Sequence, residues 1–322
     1  MIEFEHDERK TNAWTAAETT ACIHGRPIRL SASGSKQEKV AMPRPHIMFV
    51  QAQMIPWSTG LHGDARRDVE HKLLSLDDTD ASSTCIVRYP AGWSRTSAEH
   101  LTTHEEFLVL DGALEINGRV YEKHTYGFLP AGYRRERARS THGAVLLTMF
   151  YGAVHKGAGA GGDFDQKLLV EYVNPLQMDW DPGLVDPQLS KGVAIKPLRT
   201  DPYTGETSFL YCSPPHRVPP GMAKPQWTHP MVEELYTLEG DYVWGDLGRM
   251  QRGGYCWWRE NVYHGPAGTD TGYNLFVRTV NGPLVNTFDT VKKPFTWDPP
   301  HTPILPPELA PYGQPLPPSP NY

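Results

Sequence analysis

Two histidines and one glutamate in the C-terminal half of the chain have the types and spacing of a metal site. His229 lies four residues before Glu233, and His264 follows Glu233 by 31 residues. Two neutral imidazoles and a carboxylate suit Fe(II), Mn(II), Ni(II) or Zn(II), and they leave coordination positions open for a substrate or O2. The structural alternative has His229 capping a turn and Glu233 paired with an arginine such as Arg278.

Strands must position these residues, because the surrounding sequence has the two-residue period of a β-sheet. From Pro45 onward, short aromatic and β-branched runs are bounded by Gly, Pro, Asp or Asn. The 322 residues include 30 prolines and 29 glycines, which interrupt these runs and leave little room for helices. The pattern predicts an all-β protein.

The strand pattern occurs twice in the same order. FVQAQMIPWSTG at 49–60 matches YVNPLQMDWDPG at 172–183, and EEFLVLDGALEING matches EELYTLEGDYVWG. A period of about 125 residues is too long for a solenoid and indicates two copies of one β domain. The predicted domains are an N-terminal arm, a first barrel, a linker, a second barrel and a Pro-rich tail, at 1–44, 45–152, 153–169, 170–287 and 288–322.

Composition and charge exclude several classes of function. The net charge of −6 argues against nucleic-acid binding and against an anionic membrane surface. No apolar run approaches the roughly 20 residues of a membrane span, and the polar first residues do not form a signal peptide. The four cysteines form no CxxC pair, which favours a reducing compartment over a disulfide framework. A cytoplasmic protein is predicted.

Each copy resembles a cupin, a double-stranded β-helix (jelly-roll) barrel that holds a metal at one end of its interior. The first cupin motif is G-x5-H-x-H-x3-4-E-x6-G, and the second is G-x5-P-x-G-x2-H. In copy two, six residues separate Glu233 from Gly240 as the first motif requires, and His229 matches its second His. His264 matches the His of the second motif, whereas Trp227 stands at the position of the first His. The resemblance therefore implies metal ligands His229, Glu233 and His264.

Copy one keeps the cupin scaffold but departs from the metal motif. Glu105 has the same spacing to Gly112, and the second-motif His is replaced by Arg135. The two first-motif His positions are occupied by Glu99 and Leu101. A second, weaker metal site remains open if a bulge re-aims two nearby histidines; its ligands would be His100, His104 and Glu105. The resemblance covers about 45–152 and 170–285 and is that of a bicupin of the anti-sigma-factor type.

Other residues in copy two are candidates for the substrate pocket and for completing the metal site. Gln226 lies beside the vacated first His position and could serve as a fourth ligand. Trp227 and Trp258 could line an apolar pocket for a planar ligand. Arg278 could hold a substrate carboxylate, with an ion pair to Glu233 or Asp241 as the equal alternative.

The open ligand set and the resemblance together favour a metal-dependent bicupin enzyme. Fe(II) is preferred, with Mn, Ni or Zn as alternatives, and the reaction would be O2-dependent, dioxygenase-type oxidation of a small, metal-chelating aromatic or dicarbonyl substrate. A redox-neutral lyase, isomerase or hydrolase is the enzymatic alternative, and a non-catalytic small-molecule or metal-binding bicupin is the other. No residue is assigned as general acid or base, because strand alternation directs Glu106 and Glu234 outward to solvent. Fold analogy predicts a homodimer.

Overall fold

The structure is a computed structural model that describes residues 43–316, with the exception of positions 160, 187, 190, 191, 218 and 220. The predicted N-terminal arm therefore lies outside the described residues, apart from Pro43 and Arg44. Within these ranges the regular structure is 20 strands and five short 3₁₀ turns. The prediction of an all-β protein is confirmed. Among the described residues, no helix has the length and apolar character that crossing a membrane would require.

The strands follow one another with short connections. The first eleven are Ile47–Gln51 (β1), Ser58–Thr59 (β2), Glu70–Leu76 (β3), Ser83–Tyr89 (β4), Trp93–Arg95 (β5), Glu105–Ile116 (β6), Arg119–Glu122 (β7), Tyr126–Leu129 (β8), Ala138–Ser140 (β9), Ala144–Phe150 (β10) and Val170–Val173 (β11). The other nine are Ala194–Thr200 (β12), Thr207–Ser213 (β13), Ala223–Thr228 (β14), Val232–Trp244 (β15), Gly248–Gln251 (β16), Gly254–Trp258 (β17), Ala267–Gly268 (β18), Tyr273–Val280 (β19) and Thr287–Pro294 (β20). The 3₁₀ turns are Ala52–Met54, Gly63–Arg66, Pro175–Gln177, Pro182–Leu184 and Ala310–Tyr312.

Two antiparallel sheets with the same strand order form the two barrels. The sheet of barrel 1 runs β11-β8-β6-β10-β4-β3-β2, and that of barrel 2 runs β1-β17-β15-β19-β13-β12. Each long strand, β6 or β15, also carries two short strands at its far end. Gly112 and Gly240, the glycines shared by both copies, have positive φ, and a Cβ at either would collide with a carbonyl oxygen of the neighbouring turn. The prediction of two tandem cupin barrels is confirmed.

The two barrels exchange their first strands, which the repeat did not predict. β1, which precedes the other strands of barrel 1 in the chain, pairs with β17 of barrel 2. β11 precedes barrel 2 in the chain and pairs with β8 of barrel 1. Each predicted barrel segment thus contributes an edge strand to the other sheet. Because backbone hydrogen bonds cross in both directions, the exchange ties the two barrels together.

Apolar side chains form three main clusters, one inside each barrel and one between them. Barrel 1 is filled around Phe107 and Tyr121, and barrel 2 around Trp244 and Trp258. The largest cluster lies between the barrels and includes Tyr126 from one and Tyr255 from the other. The outer faces of the two sheets are therefore buried against each other.

This burial corrects the prediction that Glu106 and Glu234 face solvent, since both are at most 2% exposed. Each points away from its own barrel interior, as alternation requires, but the other barrel covers that face. Glu234 accepts hydrogen bonds from Tyr255 and from Thr84 of barrel 1, and its other oxygen pairs with Arg278 at 2.6 Å. In the reciprocal arrangement, Glu106 accepts hydrogen bonds from two tyrosines of barrel 1 and one serine of barrel 2: Tyr126, Tyr151 and Ser208.

The interface carboxylate makes stability depend on pH. Burial raises the pKa of Glu234, but the Arg278 and Arg44 guanidinium groups outweigh this, and the pKa lies below its ordinary value of 4.5. A depressed folded-state pKa contributes stability that is fully present above the unfolded pKa and is lost as pH falls through the folded pKa. Lowering the pH below about 4.5 is therefore expected to reduce the free energy of unfolding more in wild type than in Glu234→Gln. Urea denaturation at a series of pH values measures this; equal pH dependence in the two proteins would contradict it.

Part of the predicted Pro-rich tail forms regular structure. Thr287–Pro294 pairs with β14 as a two-stranded ribbon beside barrel 2. Farther along, the backbone of Ile304 makes two hydrogen bonds with Met48 of β1, at 2.6 and 2.8 Å. Edge positions such as these accept a proline-rich segment because few of its N–H groups are needed for pairing.

Candidate metal centre

The three predicted ligands come from one end of barrel 2. His229 lies in the turn between β14 and β15, and Glu233 is the second residue of β15. His264 lies between β17 and β18, and it is held by two backbone hydrogen bonds with Trp227, at 2.9 and 3.0 Å. The turn and this bridge bring residues 31 and 35 positions away from His264 to the same point.

The structure brings these three side chains together. Nε2 of His229 lies 3.2 Å from Nε2 of His264, and Glu233 Oε2 lies 3.2 and 3.6 Å from those two atoms. His229 is 3% exposed, His264 is 1% exposed and Glu233 is 9% exposed. Within the described part of the chain, this is the one group of three or more His, Cys, Asp or Glu residues whose ligand atoms all lie within 4.8 Å of one another.

The hydrogen bonds of the two imidazoles fit a bound cation. Nδ1 of His229 lies 3.0 Å from the Val285 carbonyl oxygen, and Nδ1 of His264 lies 3.0 Å from that of Val262. A carbonyl only accepts, so each Nδ1 carries a hydrogen, and in the neutral form of each ring the lone pair of Nε2 points toward the other ring. Two lone pairs and a carboxylate facing one another are repulsive unless a positive charge lies between them. The donor set therefore fits a divalent metal, with the carbonyls fixing the ring orientations.

The pKa values of the three groups reflect a buried carboxylate that lies between two imidazoles. For His229, burial lowers the pKa but the Glu233 carboxylate raises it further, and the net pKa is raised. Burial lowers the pKa of His264 to about 4, so this imidazole is neutral at pH 7. For Glu233, burial raises the pKa, and the two histidines reverse the shift and hold it below the ordinary value. An ionised carboxylate beside a neutral imidazole is the state that binds a metal.

Tryptophans hold the His264 ring in place. Trp258 stacks on it with ring centroids 4.1 Å apart, and Trp227 packs edge-on at 5.2 Å. Trp258 is 2% exposed, and its Nε1 has no hydrogen-bond partner among the described residues. This rigid packing orients Nε2 of His264 toward the other two ligands.

The ligand group opens into a cavity of about 270 Å³ that extends through barrel 2 toward the β14–β20 ribbon. Its walls are mainly apolar and aromatic, and the aromatic members are Phe209, Tyr211, Trp227, Tyr242, Trp258, Tyr273 and Phe288. Lys224 and His216 are two of the polar residues in the wall, and Lys224 Nζ lies 2.9 Å from His216 Nε2. Burial lowers the pKa of Lys224. A mostly apolar cavity with a few polar groups is typical of small-molecule sites.

The other predicted residues of this site have different outcomes. Trp227 and Trp258 line the cavity. Gln226 donates its amide to the Gly265 carbonyl at 2.7 Å, which supports the loop that carries His264. The prediction that Arg278 holds substrate is wrong, because Arg278 lies on the opposite face of β19 and does not line the cavity. Its ion-pair partner is Glu234, and not Glu233 or Asp241.

Sequence reasoning missed the pairing of Lys224 with His216. Eight residues separate the two in the chain. His216 is fixed by backbone hydrogen bonds with Thr269, a contact across the barrel rim. The proline-rich spacing between them has no period that would place both side chains on one face.

Barrel 1 has arginines where barrel 2 has its second histidine. The backbone bridge between Glu99 and Arg135 matches the bridge between Trp227 and His264, so Arg135 stands in the place of His264. Glu105 occupies the position of Glu233 and accepts hydrogen bonds from Arg135 at 2.7 Å and from Arg66 at 2.6 and 2.7 Å. The carboxylate is thus neutralised by guanidinium groups.

The weaker metal site predicted from His100, His104 and Glu105 does not form. His104 Nδ1 accepts a hydrogen bond from the Ala131 backbone, at 2.9 Å. The His100 ring packs against Gly157 and Gly161 of the predicted linker, where an added Cβ would collide with it. Glu105 is held by Arg66 and Arg135. Each of the three side chains therefore contacts a different partner, and the three do not converge on one point.

Comparison with known proteins agrees with this architecture. Residues 46–155 match the family model of the ChrR cupin-like domain. The chain is similar in structure to a protein from Nostoc punctiforme described as a "putative dioxygenase", at 21% identity and a TM-score of 0.67, over 78% of this chain and 92% of that one. No curated protein matches the sequence. Identity this low shows a shared fold and no more.

Two further solved structures are more distant. Oxalate decarboxylase from Bacillus subtilis is 11% identical with a TM-score of 0.45, over 75% of this chain and 78% of that one. Vicilin from Corylus avellana is 10% identical with a TM-score of 0.48, over 75% of this chain and 87% of that one.

Proposed function

We propose that barrel 2 is a metal-dependent oxidoreductase of the dioxygenase type, in a chain with two barrels of which residues 46–155 match a cupin-like domain. Its substrate class is a small aromatic or dicarbonyl compound that chelates the metal. The observation that carries the proposal is the convergence of His229, Glu233 and His264 at the inner end of an aromatic-lined cavity. The description of the structurally similar Nostoc protein favours the same reaction class.

His229, Glu233 and His264 would hold the divalent ion, with Fe(II) favoured and Mn, Ni or Zn as alternatives. When bound, a redox-active ion such as Fe(II) would supply electron transfer between a chelated substrate and O2, and any of these ions would supply Lewis-acid polarisation of an oxygen. Three protein ligands leave room for both reactants. The buried positions of the two histidines keep bulk water from the site.

The remaining wall residues would bind and orient the substrate. Trp227 and Tyr242 offer flat apolar surfaces to a planar ring. The Trp258 indole N–H, which has no partner among the described residues, can donate a hydrogen bond to a substrate oxygen. Lys224 Nζ can attract an enolate or phenolate, and in its neutral form it can accept the proton that the substrate loses on chelation.

Oxygen consumption tests this proposal. Protein loaded with Fe(II) is mixed with a panel of catechols and 1,3-diketones in an oxygen-electrode cell, while substrate loss is followed by absorbance. We expect O2 uptake equal to substrate consumed for at least one compound, and none with Glu233→Ala. If the loaded protein binds panel compounds without consuming O2 or altering them, the proposal of a dioxygenase-type enzyme is wrong and a non-catalytic binding bicupin is favoured.

The Lys224–His216 pair favours a second candidate, a redox-neutral lyase, isomerase or hydrolase. Burial lowers the pKa of Lys224, which lies beside an imidazole, and a lysine of lowered pKa is better able to transfer a proton near neutral pH. In that case substrate turns over without O2, and Lys224→Met reduces turnover. Lys293→Met is the matched control, because Lys293 pairs with Lys224 across the ribbon but is exposed. The small-molecule partner, the homodimer and the cytoplasmic location stay predictions.

A further inference from the structure

Barrel 1 has a cavity of its own at the end where barrel 2 has its ligand group. Its volume is about 130 Å³. Its lining includes the side chains of Arg66, Arg95 and Arg135 together with the carboxylates of Glu99 and Glu105. The cavity is smaller than the roughly 300–1,000 Å³ of typical drug-sized sites, so it has room for one small molecule.

Positive charge exceeds negative charge in the buried part of this cavity. Three guanidinium groups face two carboxylates, and the side chains of all five are at most 13% exposed. Arg135 pairs with Glu105, Arg95 pairs with Glu99, and Arg66 contacts both carboxylates. Because arginine stays protonated in proteins, one positive charge has no buried counterpart. A buried charge without a partner is costly unless an anion joins it.

Hydrogen-bond donors in the same lining are unpartnered. Arg135 is 98% buried, with a side-chain exposure of 2%, and its Nε and Nη1 atoms have no hydrogen-bond partner among the described residues. The Nε atom of Arg66 is in the same state. Nearby, burial and then the Arg66 charge lower the pKa of His62 to about 3, so this imidazole adds no positive charge and reports the positive field. Unsatisfied buried N–H groups on a guanidinium are the donors that bind a carboxylate in a paired geometry.

The lining of this cavity also has an apolar part. It consists of Tyr89, Trp93, Phe107, Leu114, Ile116 and Ala138. Tyr89 and Trp93 pack edge to face with ring centroids 4.7 Å apart, and together they form an aromatic corner of the cavity. A ligand that matches both the charged and the apolar parts of the lining has an anionic group and an apolar body. Inorganic anions would leave this corner without a contact.

We propose that barrel 1 is a binding site for a small organic carboxylate with an apolar body, held by Arg135, Arg95 and Arg66. The guanidinium groups occupy the end of the barrel where barrel 2 has its ligand group, so the two sites share a position but differ in chemistry. The carboxylate would accept hydrogen bonds from Arg135 and Arg66 while its apolar part contacts Trp93 and Tyr89. This proposal is independent of metal binding in barrel 2.

Calorimetric titration of the full-length protein with benzoate tests the site, with benzamide as the neutral isostere and phosphate as the inorganic anion. We expect saturable binding of one benzoate per chain and at least tenfold weaker binding of the other two compounds. Arg135→Gln and Arg95→Gln should each weaken benzoate binding by about tenfold or more, since each removes a charged donor. Arg67→Gln is the matched control, because Arg67 lies at the rim and its side chain is 70% exposed; less than a twofold change is expected.

Two further measurements separate this site from barrel 2 and from unfolding. Glu233→Ala should bind benzoate as wild type does, because the barrel 1 residues are unchanged. If Arg135→Gln does not fold, Arg95→Gln carries the test, since Arg95 is the least buried of the three arginines. Absence of saturable benzoate binding, loss of binding in Glu233→Ala, or tighter binding of phosphate than of benzoate would each overturn the proposal.

Discussion

Glu233→Ala is expected to remove bound metal from the protein almost completely. Glu233 is the one carboxylate of the ligand group, and it neutralises part of the charge of a divalent ion in a site that is 9% exposed or less. Without it, two neutral imidazoles remain, and the affinity should fall by more than the roughly 10–100-fold that the loss of an outer-shell partner costs. His264→Ala should have the same effect, because it removes a second of the three candidate ligands, whose ring Trp258 and Trp227 hold in place.

Elemental analysis by mass spectrometry after dialysis measures the metal content per chain. His104→Ala is the matched control, since His104 is a histidine near the equivalent carboxylate of barrel 1 but bonds to the Ala131 backbone. Its metal content should equal that of wild type. If wild type holds no more metal than Glu233→Ala, the proposal of a metal site in barrel 2 is wrong. If His104→Ala loses half of the metal, barrel 1 also binds an ion.

Glu234→Gln is expected to lower the free energy of unfolding by about 3–5 kcal/mol, the usual loss when one member of a buried ion pair is removed. Glu234 is 2% exposed and Arg278 is 3% exposed, and two hydrogen bonds of 2.6 and 2.7 Å join them. The substitution keeps the size of the side chain but leaves the Arg278 charge without its main partner. The nearest other carboxylate oxygen, on Glu106, lies 3.9 Å from Arg278.

Urea denaturation followed by tryptophan fluorescence measures this loss. The double variant Glu234→Gln/Arg278→Met should recover part of it, because no unpaired charge then remains at the interface. Arg134→Gln is the control for an exposed pair, since Arg134 and Glu136 have side chains 43% and 57% exposed; a change below about 1 kcal/mol is expected. A loss of the same small size in Glu234→Gln would show that the interface pair does not hold the barrels together.

Comparison of the two sequence copies was enough to predict the candidate metal ligands. His229 and His264 differ between the copies, whereas the glutamate and the glycine do not. That contrast separates scaffold from ligand without any structure, and the structure brings the two histidines within 3.2 Å of each other. The same contrast placed Arg135 at the position of His264, which the equivalent backbone bridges bear out.

Contacts between residues far apart in the chain could not be predicted from the local sequence pattern. Arg66 reaches Glu105 from a 3₁₀ turn 39 residues earlier, and no spacing rule joins such a turn to a barrel interior. The sequence allowed Arg278 to hold substrate because strand alternation shows only that its side chain lies on the face opposite that of Val277. Which face meets the cavity and which meets the other barrel is decided by how the sheets pack.

The sequence by itself determined the all-β class and the duplication and predicted the candidate ligand group, because these follow from local period, spacing and comparison of the copies. The tertiary structure alone decided what covers each face. Alternation placed Glu106 and Glu234 outside their barrels, but their 0% and 2% exposure arises from burial against the second barrel. The exchange of β1 and β11 has the same origin, since an edge strand pairs with whichever sheet edge is open beside it.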